Sequence, residues 1–238
     1  FTIDIDNSKL SEIGSYAFSE TSIKLFNIPQ NVKVIQPFTF SGCKKLRNVN
    51  ISAKSKLEII DKYSFAGNLS LLYINIPKTI KKLSYKAFIN TPSLQSIMDE
   101  SNDDFCLFED NSIYTKDKSL VFVPRNLKQY KLIPNCLVIH SGSFCGPNLE
   151  KVSFSDNSLI CIEKCGFAHS TGLKSITIPS SVQYIGSECF IDCRNLDIVD
   201  FEPGSKFKNI PKYCFAYSGL KTICLPASIE VINHSSFS

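Results

Sequence analysis

Cys161, Cys165 and His169 are each separated by three residues, and Cys189 and Cys193 repeat that spacing. Thiolates and imidazoles that converge on one point hold zinc, usually as a close pair matched by a second pair. One reading of these five residues is therefore a zinc site. The other is a set of small buried hydrophobes, the commoner state of free cysteine. Repeat position favours the second. Cys189 falls on a small-residue position and Cys193 on a polar position shared with Cys43, Ser170 and Ser218, while Cys165 aligns with Tyr16, Tyr63 and Tyr213. No metal is expected. A disulfide among the ten cysteines stays open, because pairing is not legible in sequence.

Other chemistry has little to stand on. The histidines are His140, His169 and His234, and none lies beside a serine or cysteine in a nucleophile-elbow context. There is no G-x-G-x-x-G and no phosphate loop. The acidic run from Asp99 to Asp104 lacks the spaced ligands and glycine of a calcium loop, and reads as solvated. The expectation is no enzyme and no cofactor. A net charge of +4, with no long basic run, does not point to nucleic acid. No apolar stretch approaches the roughly 18–20 residues of a membrane helix. The chain starts on Phe1 and ends inside a repeat at Ser236-Phe237-Ser238, so it reads as a fragment. Three N-x-S/T sequons, at Asn50, Asn68 and Asn233, are candidate glycan sites if the chain is secreted by a eukaryotic route.

The elements that must position all of these follow from self-similarity. Phenylalanine recurs at Phe18, Phe40, Phe65, Phe88, Phe144, Phe167, Phe190, Phe215 and Phe237. Five residues before each stands an aliphatic: Ile13, Ile35, Ile60, Leu83, Ile139, Ile162, Ile185, Ile210 and Ile232. The residue just before each is small or threonine, from Ala17 and Thr39 to Cys214 and Ser236. Five or six residues after the first eight, an aliphatic opens an alternating run such as Leu46-Arg47-Asn48-Val49-Asn50-Ile51 or Leu173-Lys174-Ser175-Ile176-Thr177-Ile178. Period-two alternation marks a half-buried strand. Pro29, Pro77, Pro179 and Pro226 end four of these runs, since proline cannot extend a ladder.

One unit of about 23 residues cannot bury its phenylalanine and aliphatics alone, but stacked units can. Each buried Phe or Leu then contributes on the order of 1.5–3 kcal/mol. Loss of an internal Phe would cost roughly 3–5 kcal/mol through its cavity. The expected fold is a leucine-rich repeat solenoid. It is mostly β, a parallel strand ladder with short turns or 3-10 or helical segments on the other side, wound as a curved right-handed coil.

The unit I-x-x-x-small-F-x-x-C-x-x-L-x-x-I-x-I-P-x-x-V resembles the BspA-like leucine-rich repeat family, with the stretch from Gln183 to Leu196 a clear match. The resemblance covers nearly the whole chain. It implies a surface antigen of bacteria or parasitic protists that recognises host or neighbouring-cell proteins. The alternative is an intracellular repeat scaffold for a signalling partner.

The step from Phe88 to Phe144 is 56 residues, far longer than its neighbours. Residues 1–98 read as repeats one to four, 99–134 as an irregular island with a β-hairpin inside the same solenoid, and 135–238 as further repeats. Within the island Phe105 to Phe108, Ser119 to Pro124 and Tyr130 to Pro134 read as strands. Glu109 to Ser112 and Lys116 to Lys118 read as turns.

On the alternating runs, the residues between buried positions face outward. They are Leu25, Asn27, Asn48, Asn50, Tyr73, Asn75, Ser96, Met98, Lys151, Ser153, Ser175, Thr177, Ile198, Asp200, Thr222 and Cys224. Small polar residues with scattered apolar anchors suit protein recognition. This face is the expected protein-binding site, and the island is the runner-up.

Overall fold

The computed structural model describes residues 9–98 and 101–238. Asp99 and Glu100, which open the acidic run, lie outside them. The chain forms two compact units, residues 1–113 and 114–238.

In the first unit the alternating runs form strands β1 (Leu25–Ile28), β3 (Asn48–Ile51) and β5 (Tyr73–Ile74). These pair in parallel with Leu25, Asn48 and Tyr73 in register. Between them lie two-residue strands, β2 (Val34–Ile35), β4 (Ile59–Ile60) and β6 (Lys82–Leu83). These form a second parallel ladder, with Ile35, Ile60 and Leu83 in register. The aliphatic five before each Phe is thus a strand residue, not only a core anchor. Alternation along the sequence marks one ladder; the second has strands of two residues, too short to show a period.

The phenylalanine sits in the turn that joins the second ladder to the next coil. Tyr16, Phe38 and Tyr63, two residues before an anchor, take positive φ, as do Glu20, Gly42, Gly67 and Asn90, two residues after. Left-handed residues on both sides fold the chain tightly around the rings of Phe18, Phe40 and Phe65. The N–H of Phe18 donates to Thr39 at 2.9 Å, that of Phe40 to Ser64 at 2.8 Å and that of Phe65 to Ala87 at 3.0 Å. The small position is therefore where one coil's turn lies on the next. The rings of Phe18, Phe40, Phe65 and Phe88 stack in sequence, 5.2, 5.3 and 5.5 Å apart and within 9° of parallel. Strand β7 (Phe105–Leu107) closes this unit.

In the second unit the island contributes β8 (Ile113–Thr115), β9 (Leu120–Phe122) and β10 (Gln129–Lys131). Strand β8 was not foreseen. It leads into a hairpin whose turn is closed by the Thr115 N–H on the Ser119 carbonyl at 2.9 Å, with Lys118 at a φ of 66°. Beyond it come β11 (Val138–Ile139), β12 (Lys151–Ser153), β13 (Cys161–Ile162), β14 (Ser175–Ile178) and β15 (Tyr184–Ile185). The last four strands are β16 (Ile198–Phe201), β17 (Asn209–Ile210), β18 (Thr222–Ile223) and β19 (Val231–Ile232). The long strands pair as β10–β12 and as β14–β16–β18; the short ones as β9–β11–β13–β15 and, separately, β17–β19. Phe144, Phe167, Phe190, Phe215 and Phe237 stack at 4.5, 5.1, 5.4 and 5.4 Å. In the island coil Val123 makes the anchor's hydrogen bond, its N–H donating to Ser143 at 3.1 Å. Among the described residues the connections are turns, not 3-10 or α-helical segments.

The core of each unit is the space between its two ladders. In the first unit it holds Phe26, Val49, Ile74 and the stacked anchors. In the second it holds Ile139, Ile162, Ile185, Val199 and their anchors, with Tyr114 and Tyr130 sharing a buried phenol hydrogen bond of 2.8 Å.

Candidate binding face

The outer side of the long-strand ladder carries most of the residues expected there. In the first unit Asn27, Asn48, Asn50, Tyr73 and Asn75 are exposed, whereas Phe26, Val49 and Ile74 between them are buried. Register sets the contacts. Asn50 is opposite Asn27, and its Nδ2 donates to Asn27 Oδ1 at 2.8 Å. The Tyr73 hydroxyl donates to Gln95 Oε1 at 2.9 Å, which fixes a ring that remains 51% exposed. Two expectations need correction. Leu25 is only partly exposed. Met98 is buried, with 2% of its surface accessible, because it lies past the end of the short β5 pairing and turns into the core.

In the second unit Lys151, Ser175, Thr177, Ile198 and Asp200 are exposed, and Ser153 is partly so. Ile198, at 46% exposure, is flanked in register by Ser175 and Thr222. Beside this face runs a rail of charges that the sequence reading missed. Lys174 Nζ reaches Glu150 at 2.7 Å, and Lys221 Nζ reaches Asp197 at 3.0 Å. These residues each follow the repeat's leucine, so stacking places them one above another. The signal was present as the alternation Lys128, Glu150, Lys174, Asp197, Lys221. In the first unit the same position holds Lys24, Arg47, Leu72 and Gln95, without acids.

The cysteine and histidine spacing resolves into separate local contacts. His169 Nδ1 lies 3.0 Å from Asp192, whose carboxyl is pushed up by burial but held low overall by His169 and Arg194. Cys193 Sγ donates to the Phe167 carbonyl at 3.1 Å, as Cys43 Sγ does to Phe18 at 2.9 Å and Ser170 Oγ to Phe144 at 2.5 Å. In these three coils the residue three after Phe is thus a donor to the anchor of the preceding coil, whereas Ser218 Oγ donates to Phe215 of its own coil at 2.7 Å. Cys165, Cys189, Cys193 and Cys214 are buried, and among the described residues no disulfide joins any of the ten cysteines. Among the described residues no three His, Cys, Asp or Glu side chains are grouped to hold a metal ion.

Of the sequons, Asn50 and Asn233 are exposed. Asn68 is a correction. Its side chain is wholly buried, with neither amide atom hydrogen-bonded, so the folded chain has no room for a glycan there.

Two strand ladders joined by turns around a stacked ring column define a leucine-rich repeat solenoid. The chain belongs to the BspA type leucine-rich repeat family, whose model matches six copies over residues 2–105 and 118–238. Among solved structures it is similar to the pneumococcal vaccine antigen PcpA, with 22% identity and a TM-score of 0.70 over 98% of this chain and 68% of that one. It is also similar to a leucine-rich repeat protein from Eubacterium ventriosum, with 19% identity and a TM-score of 0.68 over 99% of this chain and 75% of that one. A leucine-rich cell surface protein from Faecalibacterium prausnitzii shows 21% identity and a TM-score of 0.58, over 90% of this chain and 60% of that one. Comparison with curated proteins gives no match. Among the described residues no helix is long and apolar enough to cross a membrane.

Proposed function

We propose that this chain is a protein-recognition module at the cell surface or in secreted form, and that it binds a host or neighbouring-cell protein, such as a surface or matrix protein, through the long-strand faces. The observation that carries this reading is the placement of Tyr73 and Ile198, each about half exposed, among small polar neighbours whose backbone is locked in a ladder. Rigid apolar anchors on an ordered surface lose little entropy on binding, and a few such anchors supply most of an interface's energy. The family supports interaction as the role, and two of the similar structures are a vaccine antigen and a cell surface protein.

The test replaces Tyr73, Lys151 and Ile198 together by serine and measures attachment of the purified chain to immobilised matrix and serum proteins and to whole cells. A loss of about tenfold or more in affinity is expected if the anchors act as hot spots. Attachment that is unchanged by the triple substitution removes the strand face as the site.

A further inference from the structure

The short-strand ladder of the second unit stops between β15 and β17, and the sequence shows why. In other coils the residue after the ladder's isoleucine donates its N–H to the isoleucine carbonyl of the preceding coil. Glu163 does so to Ile139 at 2.9 Å, Gly186 to Ile162 at 2.8 Å, Asn233 to Ile210 at 3.0 Å and, in the first unit, Asp61 to Ile35 at 3.0 Å. Pro211 holds that place below Ile185 and has no N–H to give. Three residues before Ile210, a core position filled by Val32, Leu57, Ile80, Leu159 and Val182 in other coils is filled by Phe207. Its ring is buried and stacked on Phe201 at 5.7 Å, so it acts as a wedge.

The opening is confined to this side. At the same level β14 and β16 remain paired, the rings of Phe190 and Phe215 remain 5.4 Å apart, and the Glu188 N–H still meets the Lys212 carbonyl at 3.0 Å. What opens is a cleft of about 560 Å³, bordered by Gln183, Tyr184, Ser187, Asn209, Lys212 and Asn233. That volume falls within the range of ligand-binding cavities.

The cleft's walls offer unused backbone groups. In the other coils one carbonyl takes two N–H groups from the next strand: Leu137 from Ile160 and Cys161, Ile160 from Gln183 and Tyr184, Lys208 from Glu230 and Val231. The equivalent carbonyl of Gln183 takes none from Lys208 or Asn209, and that of Ile185 takes none from Pro211. Acceptors on β15 therefore face donors on β17. A polypeptide in extended form carries both N–H and C=O along its edges at strand spacing, as strand-addition complexes require. A sugar does not present that alternation. Among the described residues Lys212 is the one charged side chain lining the cleft, and Tyr184 stands 56% exposed at its rim.

We propose that this cleft docks an extended segment of a partner polypeptide, which pairs with the free groups of β15 and β17 and sets an acidic side chain against Lys212. It is a second site, independent of the long-strand face.

The test selects a displayed library of random peptides about eight residues long, within the usual length of a strand, on the whole chain. Enriched peptides carrying an acidic residue are expected. The closing variant is Pro211→Asp with Phe207→Leu, which restores the pair that the first unit carries as Asp61 and Leu57 in a coil whose ladder is closed. It is expected to bind those peptides at least tenfold more weakly while unfolding at an equal or higher temperature. Lys212→Glu should weaken them without changing stability, and the Tyr73, Lys151, Ile198 triple variant should bind them as before. If the closing variant fails to fold, Tyr184→Ala replaces it, with weaker peptide binding expected. No enrichment, peptides held equally by the closing variant or by Tyr184→Ala, or capture of neutral glycans in place of peptides would each overturn the proposal.

Discussion

Arg125 Nη2 donates to the carbonyl of Gly142 at 2.8 Å, from a residue that is 3% exposed and that among the described residues has no carboxylate partner. Its Nη1 donates to Ser143 at 2.5 Å and to Val123 at 3.1 Å, and its Cζ lies 4.9 Å over the Phe122 ring. Burial pulls its pKa down to about 10, which leaves it protonated at neutral pH. The island coil has Val123 where others have phenylalanine, and the guanidinium covers turn carbonyls on that shortened side. Arg125→Met would take a donor from three buried carbonyls; Ser143 keeps the Val123 N–H and Gly142 the Cys145 N–H, so the Val123 carbonyl alone is left unsatisfied, worth roughly 1–3 kcal/mol. The expected loss is roughly 1–3 kcal/mol in urea unfolding, partly recovered by Arg125→Lys, whose point charge cannot serve a forked site. A change under about 0.5 kcal/mol, the scatter of ordinary surface substitutions, would show that the fork is dispensable.

Glu163 accepts from the Ser141 N–H at 3.0 Å and its Oγ at 3.1 Å, and faces His140 Nδ1 at 3.3 Å. His140 foremost, then Ser141, hold the carboxyl below its ordinary range, against the effect of burial. A carboxylate with a lower pKa folded than unfolded adds stability above the unfolded value, and that stability is lost as pH falls through the folded one. Glu163→Gln should therefore be less stable at neutral pH, and its curve should meet the native curve below about pH 4, the unperturbed glutamate range. A constant gap between the two curves across the acid limb would contradict this. Urea midpoints at stepped pH give the comparison.

The thiols divide by burial. Cys224 is exposed and Cys106 and Cys161 are partly so, while the other seven of the ten are buried. Burial raises the thiol pKa at Cys43, Cys189, Cys193 and Cys214, at Cys136 to about 11 and at Cys165 to about 12. Since the thiolate is the nucleophile, the folded chain should be alkylated by iodoacetamide first at Cys224 and last at these six. After unfolding without reductant all ten should react. Rapid native-state labelling of Cys189 or Cys214, mapped by mass spectrometry, would mean that the ring column opens far more often than a stacked core should.

The repeat was legible because its determinants are local in type and regular in spacing. Phe40, the small residue before it and Ile35 each recur one coil later, so three linked coincidences identify the unit. The face residues Asn50, Tyr73 and Ile198 were legible for the same reason, since alternation along one strand decides which side each takes. Met98 was misjudged because its strand pairing ends before it, which no period within the run reveals. Asn68 was misjudged because a sequon reports sequence and not exposure.

What the sequence by itself determined is the coil: its anchors and its long strands. Only the tertiary structure decided what depends on the neighbouring coil. The short-strand ladder, the charge rail from Glu150 to Lys221, the reach of Arg125 to Gly142 and the break at Pro211 all arise between residues more than fifteen positions apart in the chain. Stacking turns one position of the repeat into a column, and a column's properties belong to its pairs, not to any single residue. Pro211 is an ordinary turn residue in its own coil. It opens a cleft only because the carbonyl of Ile185 stands opposite it.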